Sequence, residues 1–168
     1  SGSVVLTVGS LNRRNHKRLH LAVDAVSKVP DGALLICGDG PDKQYFEELC
    51  SRKLGPSRFK IVTVDFSDIP KVYRSVDLFS LPSEDEPFGR VYLEAMASGL
   101  PVVATDDAMR RTLIGNAGFV CNVEDSQEYS LALKAALDKD WENLPIEQAS
   151  NYSWQNVAER CAEVINSM

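Results

Sequence analysis

Apolar residues gather in short, nearly unbroken runs, VVLTV at 4–8, ALLIC at 33–37, KIVTV at 60–64, LFSL at 78–81, PVVA at 101–104 and FVC at 119–121. Runs of this kind, without polar alternation, predict strands buried on both faces of a parallel sheet. Between them the spacing predicts helices at about Lys17–Lys28, Asp42–Lys53, Ile69–Ser75, Gly89–Ser98 and Ser126–Leu137, with a last one from an N-cap at Ser153 to about Asn166. Strand and helix alternate from end to end. The expected fold is therefore α/β, a Rossmann-like doubly wound parallel sheet of about six strands. The stretch Asp138–Asn151 is the least regular and reads as a surface connection. No internal repeat, low-complexity tract or linker divides the chain.

At 168 residues, 44% apolar and 25% charged, the chain has the profile of one soluble globular domain. No apolar run approaches the ~20 residues a bilayer-spanning helix needs. The sequence opens Ser1–Gly2 and enters a strand pattern at once, with neither Met nor a signal segment, so it reads as a piece of something longer. Cys37, Cys50, Cys121 and Cys161 are widely spaced, with no paired or histidine-associated pattern, and are expected to be free buried thiols in a reducing cytosol. The net charge of −6 argues against nucleic acid or an anionic membrane as partner. Against that acidic background SLNRRNHKR, at 10–18, holds Arg13, Arg14, Lys17 and Arg18 with no acid, which suggests a small anionic ligand.

Ligands of open α/β sheets lie outside the carboxyl ends of the strands, so the loops after each strand carry the information. The fourth, within LPSEDEPFGRVYLEAMASGLPVVAT, is the richest. Gly89 frees the backbone at a helix start, Gly99 suits the left-handed position after the helix, and Pro101 prevents its continuation. A helix opening at Gly89 would present unpaired N–H groups and the positive end of its dipole to a phosphate. Glu86 and Glu94 stand eight apart. Because helical side chains lean toward the N-terminus, Glu94 is expected over the turn at Arg90, both carboxylates facing one cleft. The competing expectation is a surface pair of Glu94 with Arg90, disfavoured by the Arg-before-Glu order.

EPFGRVYLEAMASGLPVVA resembles the E-x7-E signature of the large retaining group 1 glycosyltransferase family that includes glycogen synthases, sucrose synthases and many bacterial sugar transferases. VGSL, LLICGDGPD, YRSVDLFSLPS and NYSWQNVAERC resemble further blocks of that family's C-terminal domain, in order along the whole chain. The resemblance implies one half of a GT-B architecture, the half that binds a nucleoside diphosphate sugar, with the N-terminal acceptor domain absent. It implies retaining transfer of the sugar to an acceptor such as a glycan or lipid-linked saccharide, without cofactor or metal, in the cytoplasm. Membrane contact, if any, would come through the absent half.

By position, the resemblance assigns Glu86 to donor-sugar hydroxyls with the amides around Phe88 and Gly89, and the amides of Arg90 and Val91 to the diphosphate. Glu94 would accept both ribose hydroxyls, Gly9 would permit close approach of the first loop, and Val64 to Phe66 would lie beside the base. The first loop departs from the family pattern, since Ser10 stands where Arg is usual and Asn15 where Lys is usual. Arg14 and Lys17 are then expected to supply the catalytic positive charge through a shifted loop, the alternative being weakened phosphate binding. Two other functions remain open, a non-catalytic nucleotide-sugar-binding domain and a sugar-nucleotide epimerase or phosphorylase on the same architecture.

Weaker signals count for less. GDGP lacks the third glycine of GxGxxG, since Lys43 stands three after Gly40. His16 reads as polar loop surface, and the DxD pair Asp138 and Asp140 as a surface turn.

Overall fold

In the computed structural model, which describes residues 2–167, six parallel strands form one sheet: β1 (Val4–Val8), β2 (Ala33–Cys37), β3 (Phe59–Val62), β4 (Leu78–Leu81), β5 (Val102–Thr105) and β6 (Gly118–Cys121). Their order is β3-β2-β1-β4-β5-β6. The chain thus builds outward from β1 to one edge, then returns past β1 to build the other. The reversal opens a crevice between the carboxyl ends of β1 and β4, where doubly wound sheets bind ligands. Register places Val5 beside Leu78 on one side and beside Leu34 on the other.

Helices α1 (Leu19–Ser27), α2 (Lys43–Leu54), α3 (Ile69–Tyr73), α4 (Arg90–Ala97), α5 (Ala108–Ile114), α6 (Ser126–Asp138), α7 (Leu144–Ser150) and α8 (Trp154–Asn166) complete the chain. All four residues of β4 are buried, as its central place in the sheet requires. Its Phe79 ring meets Tyr73 of α3 and Tyr92 of α4 edge-on, at centroid distances of 5.7 and 5.8 Å. These contacts fix both helices that flank the crevice to the strand beneath it.

Three features depart from the sequence-based expectations. Asp138–Asn151 is not a mere surface connection: it contains α7, which packs on α4, and Trp141, buried with its indole N–H on the Ala136 carbonyl at 2.7 Å. Asn143 and a proline in the first turn start α7. A second unforeseen helix, α5, follows β5, with Asp107 as N-cap accepting from the Arg110 amide. Finally, Cys161 is exposed on α8, whereas Cys37, Cys50 and Cys121 are buried free thiols. Burial pushes the Cys50 and Cys121 thiols up to about 12, which keeps them protonated. Ser1, half of the unusual opening dipeptide, lies outside the described residues.

Candidate active site

The wall formed by the loop after β4 is built from backbone. Gly89 takes φ 73° and ψ 48°, a left-handed conformation that costs side-chain-bearing residues energy. A Cβ there would also sit 2.7 Å from Tyr92 Cε2, inside the ring's van der Waals surface. Tyr92 is fully buried and donates its hydroxyl to the Leu81 carbonyl at 3.1 Å, so the turn rests on an immobile ring. Among the described residues no side chain caps the N-terminus of α4, whose N-cap is Gly89 itself. Its first amides, at Arg90 and Val91, therefore sit at an uncapped helix start beside the crevice.

Glu86 and Glu94 flank this turn and line one cleft of about 560 Å³ with Val8, Lys17, Gly89 and Val91. Glu94 accepts from Tyr73 Oη at 3.2 Å and makes no ion pair with Arg90 among the described residues, so the surface-pair alternative is not what forms. Burial, reinforced by the charge and hydrogen bond of Glu94, raises the Tyr73 phenol far above its ordinary value. It stays a neutral donor that fixes one carboxylate oxygen. A recess of about 250 Å³, bounded by Phe66, Ile69, Pro70, Tyr73 and Ser98, adjoins the cleft at Glu94. Phe66, foreseen beside a base, projects 88% exposed at its mouth, and Phe88, half exposed, stands edge-on to Tyr152 of the α7–α8 connection.

The opposite wall is the loop after β1, and its four cations have different fates. Lys17 Nζ reaches Glu86 Oε2 at 3.2 Å across the crevice, and the pair is largely shielded, with side chains 19% and 17% exposed. His16 Nε2 stands 3.9 Å from the same oxygen, and the His16 carbonyl accepts from the Glu84 amide at 2.8 Å, tying loop to loop. Arg18 adopts left-handed φ 49° and donates to the Pro82 carbonyl at 2.9 Å, to Glu124 at 2.8 Å and to Thr105 Oγ1 at 3.5 Å, bracing the ends of β4, β5 and β6. Arg13 turns away to Asp42 and lies 4.6 Å over the Tyr45 ring. Arg14 is exposed on the loop, and it is not among the residues that line the cleft.

The two family departures also acquire places. Asn15 Nδ2 donates to the Ser10 carbonyl at 3.0 Å while Asn15 Oδ1 accepts from the Lys17 amide at 3.1 Å. Asn15 is thus an internal staple that aims Lys17, and Ser10 contributes its carbonyl to that staple, its residue exposed. Gly9 is closely approached by the Lys17 stem, which a Cβ would displace. Sequence reasoning missed Tyr73, Arg18 and Tyr92; a tyrosine in a short apolar helix and an arginine in a basic run gave no cue. Among the described residues no group of three or more His, Cys, Asp or Glu is placed to hold a metal ion. Asp140 instead accepts from the Glu142 amide in a turn, and Asp138 pairs with Lys134.

Known proteins resemble this chain in sequence and in fold. The family model described as glycosyl transferases group 1 matches residues 2–139. A D-inositol 3-phosphate glycosyltransferase of Corynebacterium urealyticum is 31% identical over 190 aligned positions, covering all of this chain and 44% of that protein. The sulfoquinovosyl transferase SQD2 of Arabidopsis thaliana is 33% identical over 150, covering 83% of this chain and 29% of its own length. Among solved structures, Anabaena Alr3699/HepE in complex with UDP and glucose superimposes at a TM-score of 0.82 with 26% identity, over 99% of this chain and 49% of that one. The chain thus spans less than half the length of these relatives. With the matched model covering most of its residues and a Rossmann-like sheet that fits the GT-B neighbours, the chain belongs to the group 1 glycosyltransferase family.

Proposed function

We propose that this cleft binds a nucleoside diphosphate sugar and that the protein transfers the sugar to an acceptor with retention of anomeric configuration and without a metal ion. One observation carries the reading: Glu86 and Glu94 lie on either side of an uncapped helix start, in one cleft that also holds Lys17. A diphosphate on the Arg90 and Val91 amides would put one glutamate toward the sugar and the other toward the ribose. Glu94, with one oxygen already steadied by Tyr73, is suited to accept the two ribose hydroxyls. Glu86 is suited to the sugar hydroxyls, with Phe88 and Gly89 beside it. The solved relative holding UDP and glucose supports the ligand class.

Breaking the bond between sugar and phosphate loads negative charge onto the leaving diphosphate. The amides of α4 are held in advance where that charge grows, with Lys17 across the crevice, and one such donor is worth about 10²–10³ in rate in other enzymes. The Lys17–Glu86 pair must rearrange or be shared as the donor enters, because both partners are assigned to it. The acceptor is held by an N-terminal domain that closes over the cleft in this proposal, so the present chain binds donor without transferring it. A cytoplasmic setting fits the supply of nucleotide sugars.

Calorimetric titration of the purified chain with UDP, GDP and ADP tests the reading. Saturable binding of one of them, unchanged by EDTA, is expected. No binding of any, or binding only with manganese or magnesium, overturns it.

A further inference from the structure

We propose that Arg110 is a positioning residue for the donor diphosphate, a permanent buried charge that strengthens anion binding at the start of α4 through Tyr92. The inference rests on the donor-binding reading of the cleft. Arg110 is 1% exposed and is the one buried charged side chain among the described residues. Its Nε donates to Tyr92 Oη at 3.2 Å, its Cζ lies 5.8 Å from the Tyr92 ring centroid, and one terminal nitrogen, Nη1, pairs with Asp107. The other, Nη2, is sealed from solvent and has no hydrogen-bond partner among the described residues. Burying a charge with one donor unsatisfied is costly, and arginine cannot escape that cost by losing a proton. Stability alone gives no reason to keep it.

The surroundings give another reason. The Tyr92 ring reaches from Arg110, at its hydroxyl, to Gly89, whose Cβ position abuts the ring edge. One side chain therefore separates a guanidinium from the turn that presents the Arg90 and Val91 amides. The partner Asp107 has a side chain 37% exposed, so water screens its charge, whereas that of Arg110 lies in the low-dielectric interior. The pair is thus lopsided, and its uncompensated positive field adds to the dipole of α4. Arg110 touches no ligand itself; it acts on the turn.

The test compares a nucleoside diphosphate, the best bound of UDP, GDP and ADP, with its parent nucleoside, which has no charge. Arg110→Met should weaken the diphosphate at least tenfold and leave the nucleoside within twofold, while Arg110→Lys keeps the diphosphate within about threefold. If diphosphate and nucleoside weaken together, if Arg110→Met binds normally, or if Arg110→Lys falls as far as Arg110→Met, the inference fails. Asp107→Asn tests the same field with the opposite sign and leaves Arg110 in place, so it remains decisive should Arg110→Met fail to fold. It should tighten the diphosphate about twofold or more, and weakening overturns the proposal. A wild-type chain that bound none of the diphosphates would instead remove the functional reading, and this inference with it.

Discussion

The loops after β1 and β4 face each other across one crevice but hold their shapes by different means. The β4 loop is set by backbone: a left-handed Gly89 over a fully buried Tyr92, at the start of a helix anchored to Phe79. The β1 loop is shaped largely by hydrogen bonds, within itself from Asn12 to the Arg14 amide and from Asn15 to Ser10 and Lys17, and outward from the His16 carbonyl to the Glu84 amide. A wall fixed by burial can hold amides and carboxylates ready for a ligand, because little needs to move when the ligand arrives. A wall held by hydrogen bonds near the surface opens at lower cost, and this suits Lys17, whose pair with Glu86 must rearrange or be shared as a donor enters. The comparison predicts that substitutions in the two walls differ in kind, abolishing the site on one side and grading it on the other.

The sharpest break comes at Gly89. Gly89→Val forces a branched side chain into a left-handed turn, at roughly 1–3 kcal/mol for the backbone alone, and drives it into the Tyr92 ring. For a domain of this size that corresponds to a fall in Tm of about 3–9 °C, with more from the overlap. Nucleotide binding should become undetectable by calorimetry. Binding retained at wild-type strength would mean that the β4 wall is adaptable after all.

Next in size is the division between the glutamates. Hydrogen bonds to a charged group contribute about 1.5–3 kcal/mol, so Glu94→Ala should cost free nucleoside diphosphate tenfold or more. Glu86→Ala should leave that affinity nearly unchanged and damage sugar transfer by the full-length protein. Matched melting temperatures must accompany both. Equal weakening by the two substitutions would dissolve the assignment of one carboxylate to ribose and the other to sugar.

On the β1 side the expected loss is smaller. Lys17→Met removes a partly shielded cation, and a three- to tenfold weakening of the diphosphate is expected, from about 0.7–1.4 kcal/mol. Part of that loss is indirect, since Glu86 would then face the phosphates without its partner. Adding Glu86→Gln to Lys17→Met should therefore recover some affinity. If the double variant is weaker than the single one, Glu86 contacts the nucleotide rather than the sugar.

The same contrast explains what could be read from the sequence. The β4 wall was legible because its causes are local: Gly89, Gly99 and Pro101 punctuate one helix, and the eight-residue spacing puts Glu86 just before it and Glu94 one turn inside, on the same cleft. The sheet was legible for a similar reason, since strands buried on both faces must be apolar throughout. The fates of the β1 cations were not, because each depends on a partner remote in sequence, Glu86 for Lys17, Pro82 and Glu124 for Arg18, Asp42 for Arg13. Tyr73 was invisible for the same reason: its link to Glu94 joins residues brought together only when α3 and α4 pack on β4. The helix α7 was missed because its apolar positions serve α4, not the sheet.

The smallest effect is expected at Arg14, and it bears most directly on how far the β1 wall moves. Sequence reasoning placed Arg14 with Lys17 as a source of positive charge. In the free protein its side chain stands in solvent, away from the residues lining the cleft, while its amide is held by Asn12. An exposed charge acts on a ligand only through water and counterions, across a Debye length of about 8 Å at physiological salt. Arg14→Ala should then weaken the diphosphate less than twofold at 0.15 M salt, with a somewhat larger loss at 0.01 M, where screening reaches about 30 Å. Its effect on the uncharged nucleoside should be nil at either salt. A loss as large as that of Lys17→Met, persisting at high salt, would show that Arg14 swings into direct contact when the donor binds. The Asn12 and Asn15 staples would then have to open on binding, making the β1 loop a closing wall instead of a standing one.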